Sequence, residues 1–156
     1  MAKINKLGHV VLNCRNLESS IQFYTNVLGM EVVNHNRERK LAFLSFGREH
    51  HDIALFQFPE QRDYLEPNHL GLNHIALQIN GGEDQLRELY ARLKARGTRI
   101  DRTTDHVLSR SVYFFDPDGN RLEAYCEMMP PGEGKQWLQD NGGVARPLAL
   151  EEVSAS

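Results

Sequence analysis

Two histidines and one glutamate stand at matching places in repeated stretches of this sequence. His9 and His74 each open a short apolar stretch, GHVVL and NHIAL, and Glu123 lies in a later one, RLEAY. Two imidazoles and one carboxylate on one face of an ion leave its other positions open for substrate and dioxygen, a pattern associated with non-heme Fe(II). These residue types predict a metal site with His9, His74 and Glu123 as ligands.

The composition is that of an ordinary folded domain. The 156 residues are 40% hydrophobic and 25% charged, with a formal net charge of -3, so the sequence predicts one folded unit without disorder or a fibrous repeat. The weak acidic excess and the lack of a Lys/Arg-rich run give no electrostatic reason to expect nucleic acid or an anionic membrane as partner. A small neutral or anionic ligand remains open.

Neither a membrane location nor a disulfide framework is expected. The N-terminus has no apolar core of signal-peptide length, and no stretch approaches the roughly 18 apolar residues of a membrane helix. A cytoplasmic protein is therefore predicted. Cys14 and Cys126 are far apart and match no CxxC motif, so both are interpreted as buried or half-buried thiols.

An internal βαβββ repeat organises the chain. Module one spans about 5–60, and module two spans about 70–127. In module one, Asn16 is a good N-cap for the helix, and Gly29 suits the left-handed conformation that follows a helix. The predicted elements are strand 7–13, helix 16–28 and strands 30–33, 41–46 and 51–58, then strand 72–79, helix 84–96 and strands near 99, 111–115 and 121–127.

Strand register separates the candidate ligands from the helix-facing side. Alternate side chains point to opposite faces, so His74 lies opposite Ile75 and Leu77, and Glu123 lies opposite Leu122 and Ala124. If the two modules curl together, the ligand faces line the interior. The predicted fold class is α+β, with two βαβββ modules forming a cup-shaped, partly open β-barrel around the metal.

Two further features complete the predicted organisation. Residues 116–119, DPDG, predict a tight turn before the last strand, matched by residues 47–50 in module one. Residues 128–156 are interpreted as a C-terminal tail, anchored by Trp137, that covers the cup mouth or contacts another subunit. Residues 1–127 then form a single domain.

The repeat and its His9, His74 and Glu123 resemble the vicinal oxygen chelate superfamily, which includes glyoxalase I, fosfomycin-resistance proteins and type I extradiol ring-cleavage dioxygenases. A longer pattern is similar to the extradiol signature, and its elements in order are Thr104-Asp105-His106, Val112-Tyr113, Asp116-Pro117-Asp118-Gly119 and Glu123. The segment REHHDIAL is similar to the one that carries the acid-base histidine of these dioxygenases, and His51 is the matching position.

The resemblance implies an Fe(II)-dependent dioxygenase that cleaves a catechol-type ring with O2 next to the diol. By similarity, His51 is the acid-base residue, and His106 and Tyr113 hydrogen-bond the substrate oxygens. His51 and Glu123 each follow a turn glycine by four residues, which predicts that His51 lies opposite the carboxylate ligand. His50 is the competitor for the acid-base role, and Asn73 and Gln78 are weaker candidates for orienting the ligands.

Several alternatives stay open. Mn(II) has ligand preferences that overlap those of Fe(II). The same fold supports a glyoxalase-like isomerase, a fosfomycin-type transferase or a drug-binding protein, and the superfamily implies a homo-oligomer. The best-known extradiol enzymes carry an extra N-terminal pair of modules, whereas this chain has one pair, which leaves substrate size open. His35 and His69 match no motif and are interpreted as surface residues.

Overall fold

A computed structural model describes residues 3–58 and 70–150 of the chain. His69 lies outside the described residues. The chain divides into two compact units, Met1–Tyr64 and Leu65–Ser156, and each combines one β-sheet with helices. No helix in the described ranges is long and apolar enough to cross a membrane. The architecture is a mixed α+β fold, as the sequence predicts.

The first unit has the predicted βαβββ order. Its sheet has the strand order β1-β4-β3-β2, in which only the β1/β4 pair is parallel. Helix α1 packs against β2, β3 and β4. The elements are β1 (Val10–Cys14), α1 (Leu17–Asn26), β2 (Glu31–Asn36), β3 (Leu41–Ser45) and β4 (Ile53–Gln57).

Local sequence signals explain where α1 begins and ends. The Asn16 side chain accepts a hydrogen bond from the Ser19 backbone N–H at 2.9 Å, which satisfies a donor that the first helical turn leaves unpaired. Gly29 has a φ of 75°, in the region that glycine adopts without strain. Both predictions about this helix are confirmed.

The second unit repeats the order and extends it. Its sheet has the order β5-β8-β7-β6-β9, with β5 and β8 parallel and the other neighbours antiparallel. Helix α2 packs against β7 and β8. The elements are β5 (Ile75–Gln78), α2 (Glu83–Ala95), β6 (Ile100–Asp105), β7 (Ser109–Phe115), β8 (Arg121–Glu127), α3 (Pro131–Asn141) and β9 (Arg146–Pro147).

Each unit buries its own apolar residues between sheet and helix. The alternation along β8 is as predicted, because Leu122, Ala124 and Cys126 are all buried. Both cysteines are buried thiols without a disulfide, also as predicted. The largest fully buried side chains are Tyr24, Leu44, Ile53 and Leu55 in the first unit and Leu86, Leu93, Phe114 and Leu122 in the second.

The segment after β8 is ordered into a helix and a strand. Trp137 lies in α3 and is half-buried, while Gly134 is the buried residue of that helix. Strand β9 pairs with β6, with Thr104 opposite Pro147 and Asp105 opposite Arg146. This segment therefore adds a fifth strand to the second sheet.

Candidate metal centre

A buried carboxylate on β8 is the centre of the candidate site in the second unit. Glu123 is only 7% exposed, and its Oε2 lies 2.9 Å from His74 Nε2. The Ser111 hydroxyl donates to Glu123 Oε1 at 2.6 Å. Burial of a charged carboxylate is unfavourable unless partners compensate it, so the three side chains form a prepared polar site rather than a solvated strand surface.

The contacts of His74 suit a cation beside Glu123. His74 lies just before β5, and its Nδ1 is 2.8 Å from the Asn73 Oδ1 acceptor. A neutral imidazole carries one N–H, so donation to Asn73 leaves a lone pair on the nitrogen that faces the carboxylate. A divalent metal ion coordinated by Nε2 would relieve this conflict. Orientation of a ligand histidine by such a partner is typical of metal sites, and the role of Asn73 in orienting a ligand stays a prediction.

Tyr113 and His106 extend the same cluster. The Tyr113 hydroxyl lies 3.0 Å from His106 Nε2, and its ring meets that of His74 edge-on at 5.5 Å. Tyr113 is also the cross-strand neighbour of Glu123. Burial, followed by the charge and hydrogen bond of Glu123, raises the pKa of Tyr113 to about 12. The hydroxyl therefore stays protonated at neutral pH and is a hydrogen-bond donor.

Two guanidinium groups flank the Tyr113 ring. Arg102 lies 4.5 Å and Arg121 lies 5.1 Å from the ring centroid, and both partly offset the rise in the Tyr113 pKa. Arg121 also forms an ion pair with Asp101 at 2.5 Å. The structure thus brings His74, Glu123, Tyr113 and His106 together in one polar cluster of the second unit.

The first unit brings His9 and His51 together. Their ring centroids are 4.5 Å apart, and the Phe43 ring meets His51 edge-on at 5.0 Å. Partial burial, and then the positive charges of His9 and His50, lower the pKa of His51, although Asp52 opposes the shift. A lowered pKa favours the neutral imidazole, which is the form that accepts a proton.

His50 is a close neighbour of His51 but is more exposed. Their ring centroids are 4.5 Å apart, and the two Nδ1 atoms are 2.6 Å apart. His50 is exposed, whereas His51 is half-buried. The ring contacts with His9 and Phe43 belong to His51.

The predicted equivalence of His51 with Glu123 is wrong. In the sheets, Val11 pairs with Ala54 and Ala76 pairs with Glu123, so Ala54 is the counterpart of Glu123. Counting from the turn glycines fails because the loop between β3 and β4 spans residues 46–52, whereas the matching loop spans 116–120. His51 lies in that longer loop before β4, and its place beside His9 comes from the loop rather than from the repeat.

His9 belongs to the first unit, while His74 and Glu123 belong to the second. Within residues 3–58 and 70–150, no group of three His, Cys, Asp or Glu residues is assembled that could hold a metal ion. The structure shows a two-residue pair, His74 and Glu123, with supporting side chains. A three-ligand site with His9 stays a prediction.

Ser111 is a site residue that the sequence interpretation missed. It precedes Tyr113 by two positions on β7 and therefore shares its face of the sheet, and that spacing was the signal that could have identified it.

In the first unit, Phe43 is the counterpart of Tyr113, since Phe43 pairs with Ala54 and Tyr113 pairs with Glu123.

We expect Ser111→Ala to lower the affinity for a divalent metal by about 10- to 100-fold, the usual effect of removing a hydrogen bond to a metal ligand. The hydroxyl holds Glu123 Oε1 at 2.6 Å, and its loss frees the carboxylate to rotate. Isothermal titration with Fe(II) under anaerobic conditions measures the change. Ser109→Ala, a buried serine on the same strand, is the matched control, and equal affinities in the two variants would contradict the role of Ser111.

A family model confirms the expected resemblance. Residues 6–124 match the Glyoxalase/Bleomycin resistance protein/Dioxygenase superfamily. The chain is 32% identical over 123 residues to biphenyl-2,3-diol 1,2-dioxygenase 2 of Rhodococcus globerulus, covering 79% of this chain and 63% of that protein. It is also 32% identical to biphenyl-2,3-diol 1,2-dioxygenase 3 of the same organism, covering 95% of this chain and 81% of that protein.

A solved structure shares the fold. It is a mutant of the fosfomycin resistance protein FosX from Listeria monocytogenes, complexed with Mn(II) and 1S,2S-dihydroxypropylphosphonic acid. The TM-score is 0.66 at 23% identity, covering 88% of this chain and 98% of that one. The family match over residues 6–124, the two dioxygenase relatives and the shared fold agree: this chain belongs to the Glyoxalase/Bleomycin resistance protein/Dioxygenase superfamily.

Proposed function

We propose that this chain is an extradiol dioxygenase that cleaves a catechol-type ring with O2 next to the diol. The observation that carries the proposal is the cluster of His74, Glu123, Tyr113 and His106, which joins two of the three candidate ligands to the signature residues Tyr113 and His106 in one unit. Similarity to biphenyl-diol dioxygenases supports the same reaction.

His9, His74 and Glu123 are the proposed ligands of an Fe(II) ion, with Mn(II) as the alternative. The donor set fits, because neutral imidazoles and one carboxylate leave a divalent ion with positive charge. His74 and Glu123 already face each other at 2.9 Å. We propose that the two units assemble as a cup that adds His9 to this pair.

A divalent ion held by His9, His74 and Glu123 would lower the pKa of a coordinated hydroxyl and would supply the redox chemistry between substrate and dioxygen. The protein side chains then position the reactants and handle protons. Tyr113, whose hydroxyl stays protonated, and His106 hydrogen-bond the substrate oxygens. His51 accepts a proton from the diol and returns it to the oxygen that leaves as the O–O bond breaks.

The proposal also includes the partners, the oligomeric state and the cellular location of the protein. The partners are a small catechol-type molecule and O2, with no nucleic acid or membrane, and the protein acts as a homo-oligomer in the cytoplasm. The chain spans 63% of the length of the first dioxygenase relative, and the proposal is for a catechol-type diol without naming one ring system.

A metal-dependent transferase or isomerase of the same fold is the second candidate, together with a drug-binding protein. The specific observation in its favour is sequence similarity, because the chain is 28% identical over 123 residues to glutathione transferase FosA of Serratia marcescens, covering 78% of this chain and 81% of that protein. That class needs a metal site and no oxygen chemistry. The dioxygenase proposal gives a role to two contacts, that of His51 with His9 and that of His106 with Tyr113. A transferase or isomerase needs neither contact.

Oxygen consumption separates the two candidates. Protein purified anaerobically and loaded with Fe(II) is given a panel of catechols, and uptake of O2 is followed with absorbance of a coloured ring-cleavage product. We expect one O2 consumed per product, because both oxygen atoms enter the ring-opened acid. Stoichiometric Fe(II) binding without any O2 uptake across the panel would contradict the dioxygenase proposal. Turnover of fosfomycin by the same protein would instead establish the fosfomycin-type activity.

A further inference from the structure

The C-terminal segment from Gly142 to Leu150 is tied to the strand that leads to His106. Strand β9 pairs with β6, and the Thr103 hydroxyl donates to the Leu148 carbonyl at 2.6 Å. Leu150 is only 8% exposed. These contacts hold the backbone of the segment against the edge of the second sheet.

The same segment contacts the His106 ring directly. His106 Nδ1 lies 2.8 Å from the Val144 carbonyl oxygen. A carbonyl only accepts hydrogen bonds, so the hydrogen of this bond is on Nδ1. The hydrogen bond made by one ring nitrogen determines the role of the other, and the remaining nitrogen, Nε2, is the one that faces the Tyr113 hydroxyl at 3.0 Å.

The turn that carries His106 is held in an unusual backbone conformation. Val107 has a φ of 72°, which a β-branched residue rarely adopts. The Asp105 side chain accepts from the Val107 N–H at 2.7 Å, and the His106 N–H donates to the Ser109 carbonyl at 2.8 Å. Strained backbone persists where the surroundings enforce it, and such positions cluster at functional sites.

We propose that the segment 142–150 is a positioning element that holds His106 in the tautomer with its hydrogen on Nδ1. The neutral ring then presents a lone pair at Nε2, so His106 acts as a hydrogen-bond acceptor toward a hydroxyl. A protonated ring keeps the Nδ1 hydrogen and adds one at Nε2. The form excluded by the Val144 contact is the neutral ring with its hydrogen on Nε2 alone.

The tautomer of His106 matters because Tyr113 has fewer hydrogens to donate than it has acceptors beside it. The Tyr113 hydroxyl has one hydrogen, and two acceptors lie beside it: the His106 lone pair at 3.0 Å and the carboxylate of its cross-strand neighbour Glu123. Tyr113 donates to one of these two acceptors, and the other is left without a hydrogen. A substrate hydroxyl brought to the site donates to that remaining acceptor. Resting on the proposed function, this inference adds that His106 recognises a substrate oxygen that still carries its hydrogen.

The tautomer is measured on the full chain labelled with 15N-histidine, by long-range 1H–15N correlation at mildly alkaline pH. The signals of His106 are identified by their absence in His106→Asn. We expect a protonated Nδ1 and an unprotonated Nε2, without added metal and after loading with diamagnetic Zn(II). A hydrogen on Nε2 alone, or signals averaged between the two tautomers, overturns the proposal. The readout needs no substrate, so it stands apart from failure of the dioxygenase proposal.

A second variant tests the role of the segment itself. Thr103→Val removes the hydroxyl that holds Leu148, and we expect hydrogen exchange at the Leu148 amide and at His106 Nδ1 to rise about five- to tenfold, the effect of one ordinary hydrogen bond. Thr25→Val is the matched control, because it removes the Thr25 hydroxyl bond to Ile21 in the other unit. Faster exchange at Leu148 with unchanged His106 exchange would show that the segment does not position the ring.

Discussion

Glu123→Gln is expected to abolish stoichiometric metal binding and ring cleavage. The amide keeps the size of the side chain but loses the charge that faces His74 at 2.9 Å and accepts from Ser111 at 2.6 Å. Removing a hydrogen-bond partner of a metal ligand already weakens binding about 10- to 100-fold, so losing the ligand itself lowers affinity by at least about 100-fold. Metal content per chain and oxygen uptake measure the two effects.

Glu127→Gln is the matched control for this prediction. Glu127 lies at the end of the same strand, β8, but is exposed, so the same chemical change there leaves metal content and oxygen uptake unaltered. The metal-free Glu123→Gln variant keeps its fold, because neutralising a buried carboxylate removes a group that is costly to bury. Full metal content in folded Glu123→Gln would rule out Glu123 as a ligand.

His51→Asn is expected to lower kcat by about 10²- to 10⁴-fold, the usual contribution of a positioned acid-base residue. His51 contacts the candidate ligand His9 and has a pKa lowered by burial and by the charges of His9 and His50, so a neutral imidazole is available to accept a proton. Asparagine preserves polarity but takes up no proton. Steady-state oxygen uptake at saturating catechol gives kcat, and Fe(II) titration checks that the metal stays bound.

His50→Asn is the paired control, because His50 is the adjacent and more exposed imidazole. We expect its kcat to stay close to that of the unaltered chain. The reverse pattern, with kcat lost in His50→Asn and retained in His51→Asn, would assign the acid-base role to His50. Loss of Fe(II) in His51→Asn would instead show that this histidine supports metal binding.

The sequence alone determined the secondary structure of both units closely. Hydrophobic periodicity, the Asn16 cap and the helix-ending glycines are local signals, because each acts through residues a few positions apart. They predict the βαβββ order that both sheets show. The resemblance to the extradiol signature also singled out His106, Tyr113 and Glu123, which the structure brings together with His74.

Only the tertiary structure decided how loops and distant segments meet these elements. Counting from the turn glycines matches His51 to Glu123, but sheet register makes Ala54 the counterpart. Ser111 became a partner of Glu123 through pairing of β7 with β8. Register depends on loop length and cross-strand packing together, which one strand's sequence does not contain.

The C-terminal segment shows the same limit most clearly. The sequence predicts a C-terminal tail over residues 128–156 but gives no sign that Val144 contacts His106 or that β9 joins β6, as the structure shows. Backbone hydrogen bonds carry no side-chain signature, and the partners are distant in sequence. Local patterns therefore determined which helices and strands form, whereas long-range backbone pairing decided which side chains they bring to the site.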